Sequence, residues 1–426
     1  MSVNVTKKFA FWLYNRIWAL LIPFLRFNHR LADGFSQRTL KDFPENGADL
    51  WIQAASVGEA FLAEELINEL KPGRALRIRL TSNTRQGLEI LKRASEKFNS
   101  NNGEIHAEVT YFPFDRPAIM KAAVKQTRPS VMVLLEAELW PGLLAALKAF
   151  DCKILIINGR LTEKSLTRYL LWPTFWQSLC PDHIFAISET DALRFARLFG
   201  TEDVDVMPNI KFDRLKLAGS AGQVENPIAD LLPISSPFLV LGSIRQSEEP
   251  LIEKIMRHIF DHHPEVVFGL FPRHMHRINH WEQRLTRLHI PYQLRSSTET
   301  EVRPGTVLLW DMFGELIPAY DLSCAAFVGG SLVPLGGQNF LEALTCGIVP
   351  VIGPSWENFA WVGPGIFEHG LVRIANHWRE VAQMLIEDIN NPRPRKEVLD
   401  QALLYLKKRQ GGTKQACRQI EAFLMI

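Results

Sequence analysis

Hydrophobic segments of strand length alternate with amphipathic segments of helix length along most of this chain. In the first half, the strand candidates occupy residues 50–55, 78–81, 108–114, 131–135, 153–158, 183–188 and 204–207, and a helix candidate follows nearly every one. Such alternation is typical of a parallel sheet with helices on both faces. The first half is therefore predicted to form a Rossmann-like α/β domain.

A break in composition separates this series from a second one. Residues 216–237 are rich in Gly, Ala, Ser and Pro and lack strong periodicity, which indicates a linker. The second series has strand candidates at 238–242, 266–271, 307–310, 326–328, 349–352 and 371–374, and the chain ends in a helical pattern at 396–423. We therefore predict an α/β fold of the GT-B type, with Rossmann-like domains at 31–215 and 238–426 that face each other across a cleft.

The N-terminal segment is apolar and aromatic. Residues 9–27 are long enough to span a bilayer, but Asn15 and Arg16 lie near the centre of that segment. This pattern favours a helix in the membrane interface, or a poor single span, over a buried core helix. Residues 1–30 are predicted to attach the protein to anionic lipid, aided by a basic flank made of Lys7, Lys8, Arg16, Arg26, Arg30, Arg38 and Lys41.

Composition narrows the functional classes. The chain has 426 residues, of which 47% are hydrophobic, so it can bury the cores of two domains. The formal net charge is only +2, and we expect no nucleic-acid partner. Five widely spaced cysteines without a Cys-x-x-Cys motif indicate reduced thiols in a cytosolic protein.

Residues 327–344 read as a strand, two glycine turns and a helix. The four glycines allow the backbone to approach a ligand closely because they carry no Cβ atom, and Asn339 and Glu342 then fall at the helix start. A helix start offers N–H groups to a phosphate, and Glu342 can accept hydrogen bonds from a ribose diol. The segment predicts a nucleotide-sugar site, although Asn339 and Glu342 also form an ordinary helix-capping pair.

Acidic and basic side chains follow several strand candidates of the first half. Glu59 can act as a general base on an acceptor hydroxyl, or it can complete a capping box with Ser56. Glu136 and Glu138 follow a buried strand and indicate either a cleft role or a structural ion pair. Lys211 can neutralise a carboxylate or a phosphate in a cleft, or it can be a solvated surface group.

The second half offers basic groups after its strands. Arg245 and Arg273 suit bidentate contact with phosphate or carboxylate, and Gly314 permits a tight turn whose backbone can touch a base. Solvated arginines and an ordinary turn are the alternatives. Histidine, cysteine and acidic residues do not occur at metal-ligand spacing, so we expect neither a metal nor another cofactor.

The motifs resemble those of one known family, the bacterial 3-deoxy-D-manno-octulosonic acid (Kdo) transferases of lipopolysaccharide synthesis. The matching segments run in family order over almost the whole chain: W-I-Q-A-A-S-V-G-E-A, E-A-E-L-W-P, N-G-R-L-T-E-K-S, P-N-I-K-F-D, F-P-R-H, G-E-L and F-V-G-G-S-L-V-P-L-G-G-Q-N-F-L-E. The resemblance implies a GT-B fold and attachment to the cytoplasmic face of the inner membrane. It also implies inverting, metal-independent transfer of Kdo from CMP-Kdo to a lipid A precursor, lipid IVA.

The resemblance also implies roles for particular residues. Glu59 matches the family's general base, and Glu136 and Lys211 match its charge-stabilising residues. The segments that match the CMP-sugar-binding part of the family contain Pro272, Arg273, Phe313, Gly314, Glu315, Asn339, Phe340, Leu341 and Glu342.

The chain departs from the family pattern at a few positions. Ile244 stands where Thr is common, Gln338 where His is usual, Phe340 where Pro is usual, and Phe313 where Met is usual. Two other interpretations stay open: a GT-B enzyme that uses a UDP-sugar on a lipid acceptor, and a non-catalytic membrane protein that binds a nucleotide sugar.

Overall fold

The structure, a computed structural model, describes residues 2–100, 104–215 and 226–425. It divides into two compact units, Met1–Arg214 with Arg409–Ile426, and Leu215–Lys408. Each unit contains one seven-stranded sheet in which every pair of neighbouring strands is parallel. The predicted fold class, with two parallel-sheet α/β domains, is confirmed. Residues 216–225 of the predicted linker lie outside the described residues.

The first sheet contains the seven strands that the hydrophobic pattern predicts. In chain order they are Leu50–Ala54 (β1), Leu76–Ser82 (β2), Ile105–Tyr111 (β3), Val131–Leu135 (β4), Lys153–Gly159 (β5), His183–Ala186 (β6) and Val204–Val206 (β7). In space their order is β3-β2-β1-β4-β5-β6-β7. Strands β1 to β3 follow one another towards one edge of the sheet, and β4 to β7 follow one another towards the other edge. The strand order therefore reverses between β1 and β4.

Helices cover both faces of the first sheet. They are Ser2–Leu25 (α1), His29–Ala32 (α2), Phe35–Arg38 (α3), Val57–Glu69 (α4), Arg85–Ser100 (α5), Pro117–Thr127 (α6), Pro141–Ala149 (α7), Glu163–Tyr169 (α8), Pro173–Gln177 (α9) and Glu189–Phe199 (α10). The sequence predicts one long helix up to residue 179, where the structure has α8 and α9. Pro173 explains the break, because proline disfavours helical backbone at the residue before it.

The second sheet is built in the same way. Its strands are Phe238–Ile244 (β8), Val267–Pro272 (β9), Tyr292–Leu294 (β10), Val307–Leu309 (β11), Ala325–Val328 (β12), Val351–Ile352 (β13) and Arg373–Ile374 (β14), in the order β10-β11-β9-β8-β12-β13-β14. The remaining helices are Glu249–His262 (α11), Ile278–Arg287 (α12), Leu316–Leu322 (α13), Leu341–Thr345 (α14), Gly365–Glu368 (α15), Trp378–Asn390 (α16), Arg395–Lys407 (α17) and Gly412–Leu424 (α18). The strand order of this sheet reverses between β8 and β12.

The last helix, α18, packs with the first unit, whereas the sequence pattern groups residues 409–426 with the second domain. Its apolar face, which includes Cys417 and Ile420, joins the core cluster that holds β1 and α4. The Asp213 carboxylate accepts hydrogen bonds from the N–H groups of Gly411 and Thr413, both at 2.7 Å. Asp213 follows β7, the last strand of the first sheet, and therefore holds the start of α18 against the first unit.

The N-terminal helix α1 has one face on the first unit and one exposed face. Tyr14 donates a hydrogen bond to the Asp115 carboxylate at 2.9 Å, and the Asn15 side chain accepts one from Arg116 Nε at 3.1 Å. The exposed face is apolar, with Leu20 72% and Phe24 70% exposed. Asn15 thus belongs to the protein-facing side of α1, and an apolar surface points away from the unit.

In the described part of the chain, no helix combines the length and the apolarity needed to cross a bilayer.

The predicted basic flank needs one correction at Arg38. Its guanidinium is buried and donates to the carbonyl oxygens of Asp33, Asn83 and Phe112, so Arg38 is not available to lipid headgroups. The side chains of Lys7 and Lys8 lie outside the described residues, and those of Arg16, Arg26, Arg30 and Lys41 are exposed.

Candidate functional site

The carboxyl ends of β1 and β4 meet where the strand order of the first sheet reverses. In open α/β sheets, ligands bind in the crevice outside the strand ends at such a point. Glu59 lies in the first turn of α4, directly after β1, and Glu136 and Glu138 directly follow β4. The topology therefore places these three carboxylates at the position where a ligand is expected.

Glu59 is buried and is held by the start of its own helix. Its carboxylate accepts hydrogen bonds from the Ala55 N–H and the Ser56 hydroxyl, both at 2.8 Å, and Ser56 Oγ accepts from the Glu59 N–H at 3.3 Å. Burial and the nearby Glu138 charge raise the pKa of Glu59 to about 7, against the opposing effect of these two bonds. The capping arrangement is present, and it holds a carboxylate whose pKa suits proton transfer near neutral pH.

Glu136 and Lys211 form an ion pair. The Lys211 Nζ lies 2.6 Å from Glu136 Oε1, and both side chains are about a quarter exposed. Glu136 has a positive φ of 56°, an uncommon backbone conformation for a glutamate, and its N–H donates to the Ile157 carbonyl. The structure thus brings together two of the predicted charge-stabilising residues, one from the end of β4 and one from the Ile210–Phe212 3₁₀ turn.

Glu138 belongs to the same acidic cluster, although the family resemblance assigns it no role. Its carboxylate accepts a hydrogen bond from Trp140 Nε1 at 2.5 Å, and burial raises the pKa of Glu138. Glu138 also contributes to the raised pKa of Glu59. The Glu-x-Glu spacing in the sequence could have identified Glu138. Two carboxylates that directly follow one buried strand both lie near the end of that strand.

In the second unit, Arg273 follows β9 and contacts two of the residues that depart from the family pattern. Arg273 donates from Nε to the Gln338 side-chain oxygen at 3.1 Å, and its N–H donates to the Ile244 carbonyl at 2.8 Å. Burial, and then the charges of Arg245 and Arg273, lower the pKa of His274. The carboxyl ends of β8 and β9 therefore carry a cationic cluster suited to an anionic ligand.

The loop after β12 is held by a carboxylate that the sequence reasoning missed. Glu248 is fully buried and accepts hydrogen bonds from the N–H groups of Gly330 at 2.5 Å and of Ser331 and Leu332 at 2.9 Å. The sequence signal was weak, because a glutamate after a strand and at a helix start is usually solvated. Glu248 fixes the glycine turn at the point where the strand order of the second sheet reverses.

Asn339 and Glu342 hydrogen-bond to each other. Asn339 Nδ2 donates to Glu342 Oε1 at 2.8 Å, and Asn339 Oδ1 accepts from the Leu341 N–H at 3.3 Å. Asn339 precedes α14, which has only five residues and so provides a weaker dipole than the sequence suggests. The side chains of Phe340 and Leu341 are buried, so only their backbone can face a ligand.

The turn at residues 313–315 presents an aromatic ring. Phe313 is 82% exposed, and Gly314 has a φ of 94°, which favours glycine. The Glu315 carboxylate accepts two hydrogen bonds from Arg295 and one from Trp310 Nε1, all at 2.9 Å. Glu315 therefore fixes the turn, and the Phe313 ring and the Gly314 backbone remain available to a ligand.

Within the described ranges, no group of three or more His, Cys, Asp or Glu side chains is arranged to hold a metal ion.

Two doubly wound parallel sheets of this kind are typical of the GT-B fold. Solved structures agree on the fold. A glycosyltransferase from Rickettsia africae ESF-5 matches with a TM-score of 0.56 and 10% identity, over 88% of this chain and 99% of that one. A UDP-N-acetylglucosamine 2-epimerase matches with a TM-score of 0.55 and 12% identity, over 89% of this chain and 96% of that one.

Sequence comparison finds relatives over most of the chain. Residues 26–214 match the family model described as 3-deoxy-D-manno-octulosonic-acid transferase (kdotransferase). The chain is 28% identical to such a transferase from Haemophilus influenzae over 385 residues, which cover 88% of this chain and 87% of the relative. It is 26% identical to the Bordetella pertussis transferase over 383 residues, 88% of each chain. The resemblance to Kdo transferases is confirmed, and these homologues imply a glycosyltransferase.

Proposed function

We propose that this protein transfers Kdo from CMP-Kdo to a lipid A precursor, lipid IVA, with inversion and without a catalytic metal. The observation that carries the proposal is Glu59, a buried carboxylate with a pKa of about 7 at the reversal point of the first sheet. The Kdo transferase relatives support the donor sugar.

In the proposed reaction, Glu59 takes the proton from a glucosamine hydroxyl of the acceptor. The hydroxyl oxygen attacks the anomeric carbon of Kdo, and the bond from that carbon to the CMP phosphate breaks. The phosphate leaves with the electron pair of that bond. Attack from the face opposite the leaving group inverts the anomeric configuration.

Charge balance is the second requirement, because CMP-Kdo carries a phosphate and a sugar carboxylate. Lys211, held at 2.6 Å by Glu136, offers a positive charge beside a carboxylate whose own charge acts on Glu59. Arg273 in the second unit offers a guanidinium to the phosphate, and Gln338 holds that guanidinium in place. Fixed cationic groups of this kind stabilise a leaving phosphate without a metal ion.

The remaining residues fit recognition of the CMP moiety. Glu342 can accept hydrogen bonds from the ribose hydroxyls once its bond to Asn339 is shared or released. The Phe313 ring and the Gly314 backbone offer a surface for the cytosine base.

We propose attachment to the cytoplasmic face of the inner membrane, as the family resemblance implies, and the exposed apolar face of the N-terminal helix supports contact with a membrane. The exposed apolar residues of this segment are Phe9, Trp12, Leu13, Ile17, Leu20, Leu21, Phe24 and Phe27. An apolar face beside exposed arginines is typical of helices that lie in a membrane interface. The membrane is therefore proposed as a partner that supplies the lipid acceptor.

The test uses the purified full chain with isotope-labelled CMP-Kdo and lipid IVA in mixed micelles. Mass spectrometry should detect a product heavier by one or more Kdo residues, and NMR of the new linkage should report inversion. Competition by UDP in place of CMP would favour the alternative UDP-sugar enzyme. Tight CMP binding without turnover would favour the non-catalytic alternative and contradict the proposal.

A further inference from the structure

A cavity of about 720 Å³ lies in the first unit, beside the carboxyl end of β2. It is lined by the α2 segment, including Arg30 and Asp33, and by the start of α5, including Asn83 and Arg85. β2 is the direct neighbour of β1, so the cavity opens one strand away from the strand that Glu59 follows.

A buried polar side chain lies between the cavity lining and the acidic cluster. Gln53, on β1, donates a hydrogen bond to the Asn83 side-chain oxygen at 3.3 Å, and the same side chain lowers the pKa of Glu138. Glu138 is the carboxylate whose charge acts on Glu59. A ligand group in the cavity therefore lies at the same edge of the sheet as the proposed base.

The lining suits a phosphorylated sugar. Arg30 and Arg85 place guanidinium groups at the cavity, and the pair between Arg85 and Glu89 is solvent-exposed and weak, so a phosphate can replace it. The buried Arg38 adds a further positive charge beside Asn83. Four further lining residues carry amide, hydroxyl or carboxylate groups, which bind sugar hydroxyls: Asp33, Asn83, Thr84 and Gln86.

The cavity also lies next in the chain to the apolar surface of the N-terminal segment. Phe24 and Phe27, 70% and 73% exposed, come immediately before the α2 segment that carries Arg30. On the protein, an apolar surface is thus followed by a polar, charged cavity. A membrane-bound glycolipid has its groups in the same order, with acyl chains followed by a polar, charged headgroup.

We propose that this cavity binds the phosphorylated sugar headgroup of the lipid acceptor, with a phosphate on Arg30 and Arg85. The inference rests on the proposed function, since it names the part of the acceptor that is recognised away from the reacting hydroxyl. The acyl chains stay in the bilayer, and the headgroup spans from the cavity at β2 towards Glu59 beyond β1.

The experiment measures steady-state kinetics of the full chain with Arg30→Gln, Arg85→Gln and the double variant. The matched control is Arg93→Gln, an exposed arginine on α5 outside the cavity lining. Each cavity variant should raise the acceptor KM roughly tenfold. This factor corresponds to the lower end of the energy range for a charge-assisted hydrogen bond, which applies because the site is partly exposed. The KM for CMP-Kdo should stay unchanged, as should every parameter of the control.

A dephosphorylated acceptor separates phosphate recognition from a general loss of structure. With that acceptor, wild type and cavity variants should show the same KM. Variants that act alike on both acceptors, or that leave both unchanged, would overturn the proposal.

Binding without turnover distinguishes failure of this inference from failure of the proposed function. Flotation with phosphatidylcholine vesicles that contain the phosphorylated glycolipid tests the cavity even if no Kdo is transferred, and the cavity variants should float less than wild type. Two results would contradict the inference: an equal loss of binding to phosphatidylglycerol vesicles without glycolipid, which indicates ordinary anionic lipid, or full competition by inorganic phosphate, which indicates a small soluble ligand.

Discussion

Replacement of Glu59 by glutamine separates the two interpretations of this residue, because the capping role and the general-base role respond differently. Glutamine keeps the shape of the side chain and one acceptor oxygen. The Ala55 N–H and the Ser56 hydroxyl bond to different carboxylate oxygens, so in the native side-chain position the single glutamine oxygen accepts from only one of them.

The effect on catalysis is expected to be large. A glutamine cannot take a proton from the acceptor hydroxyl, and loss of a general base costs about 10²–10⁴ in rate, or roughly 3–5 kcal/mol of transition-state stabilisation. CMP binding should stay normal, because the CMP-binding candidates lie in the second unit.

The effect on stability is expected to depend on pH. The pKa of Glu59 is raised from its ordinary value to about 7, so the folded state binds a proton more tightly than the unfolded chain. Wild-type stability therefore falls as pH rises from about 4.5 to about 7, by an amount on the order of 3 kcal/mol. Glutamine removes this loss and gives up one hydrogen bond, worth about 1 kcal/mol.

Glu59→Gln should thus be close to wild type in stability at about pH 5 and more stable by roughly 2 kcal/mol at about pH 8. Chemical denaturation at both pH values measures this difference, and product formation from CMP-Kdo measures activity. The wild-type rate should also rise with pH and level off above about 7, because only the ionised carboxylate accepts a proton. Near-normal turnover of the variant would refute the base role, and a stability difference independent of pH would refute the assigned pKa.

Four further outcomes are expected. Leu20→Glu should weaken co-flotation with anionic vesicles, because it puts a charge on the exposed apolar face of α1, while Leu404→Glu at an exposed site of the second unit should not. Arg273→Lys should raise the KM for CMP-Kdo about tenfold, because lysine lacks the planar group that contacts Gln338; an unchanged KM would exclude Arg273 from the donor site. Asp213→Ala should lower the free energy of unfolding by about 1–3 kcal/mol in urea titrations, because it leaves the start of α18 without its acceptor. Activity should persist in excess EDTA when pure CMP-Kdo is supplied, and a loss that Mg²⁺ restores would contradict a metal-independent reaction.

The hydrophobic pattern predicted most of the sheet architecture, because central strands of a parallel sheet are buried on both faces and read as continuous apolar runs. The pattern failed where a strand is only partly buried, or where tertiary packing determines which sheet a helix covers. Tyr292–Leu294 was missed as a strand, since it has three residues and an exposed glutamine at its centre. The helical pattern of α18 was recognised, but periodicity cannot tell which of two sheets a helix covers.

Some residues of the candidate site could be predicted from the sequence and others could not, for physical reasons. Glu59, Glu136 and Lys211 follow strands, and parallel strands bring their carboxyl ends to one edge, so their proximity could be anticipated. Glu248 could not be found in this way, because its partners are backbone N–H groups more than eighty residues later in the chain. Arg38 was misassigned because a basic residue near an apolar segment resembles a lipid contact until its carbonyl partners are known.

The placement of α18 has a consequence for how the protein is made. Its apolar face completes the core around α4, so residues 1–214 lack part of their packing until the chain beyond Arg409 has left the ribosome. The second unit is a continuous segment that is translated in between, and it can acquire its structure earlier. During synthesis, the unit that begins first is thus completed last, and part of its core stays uncovered throughout translation of the other.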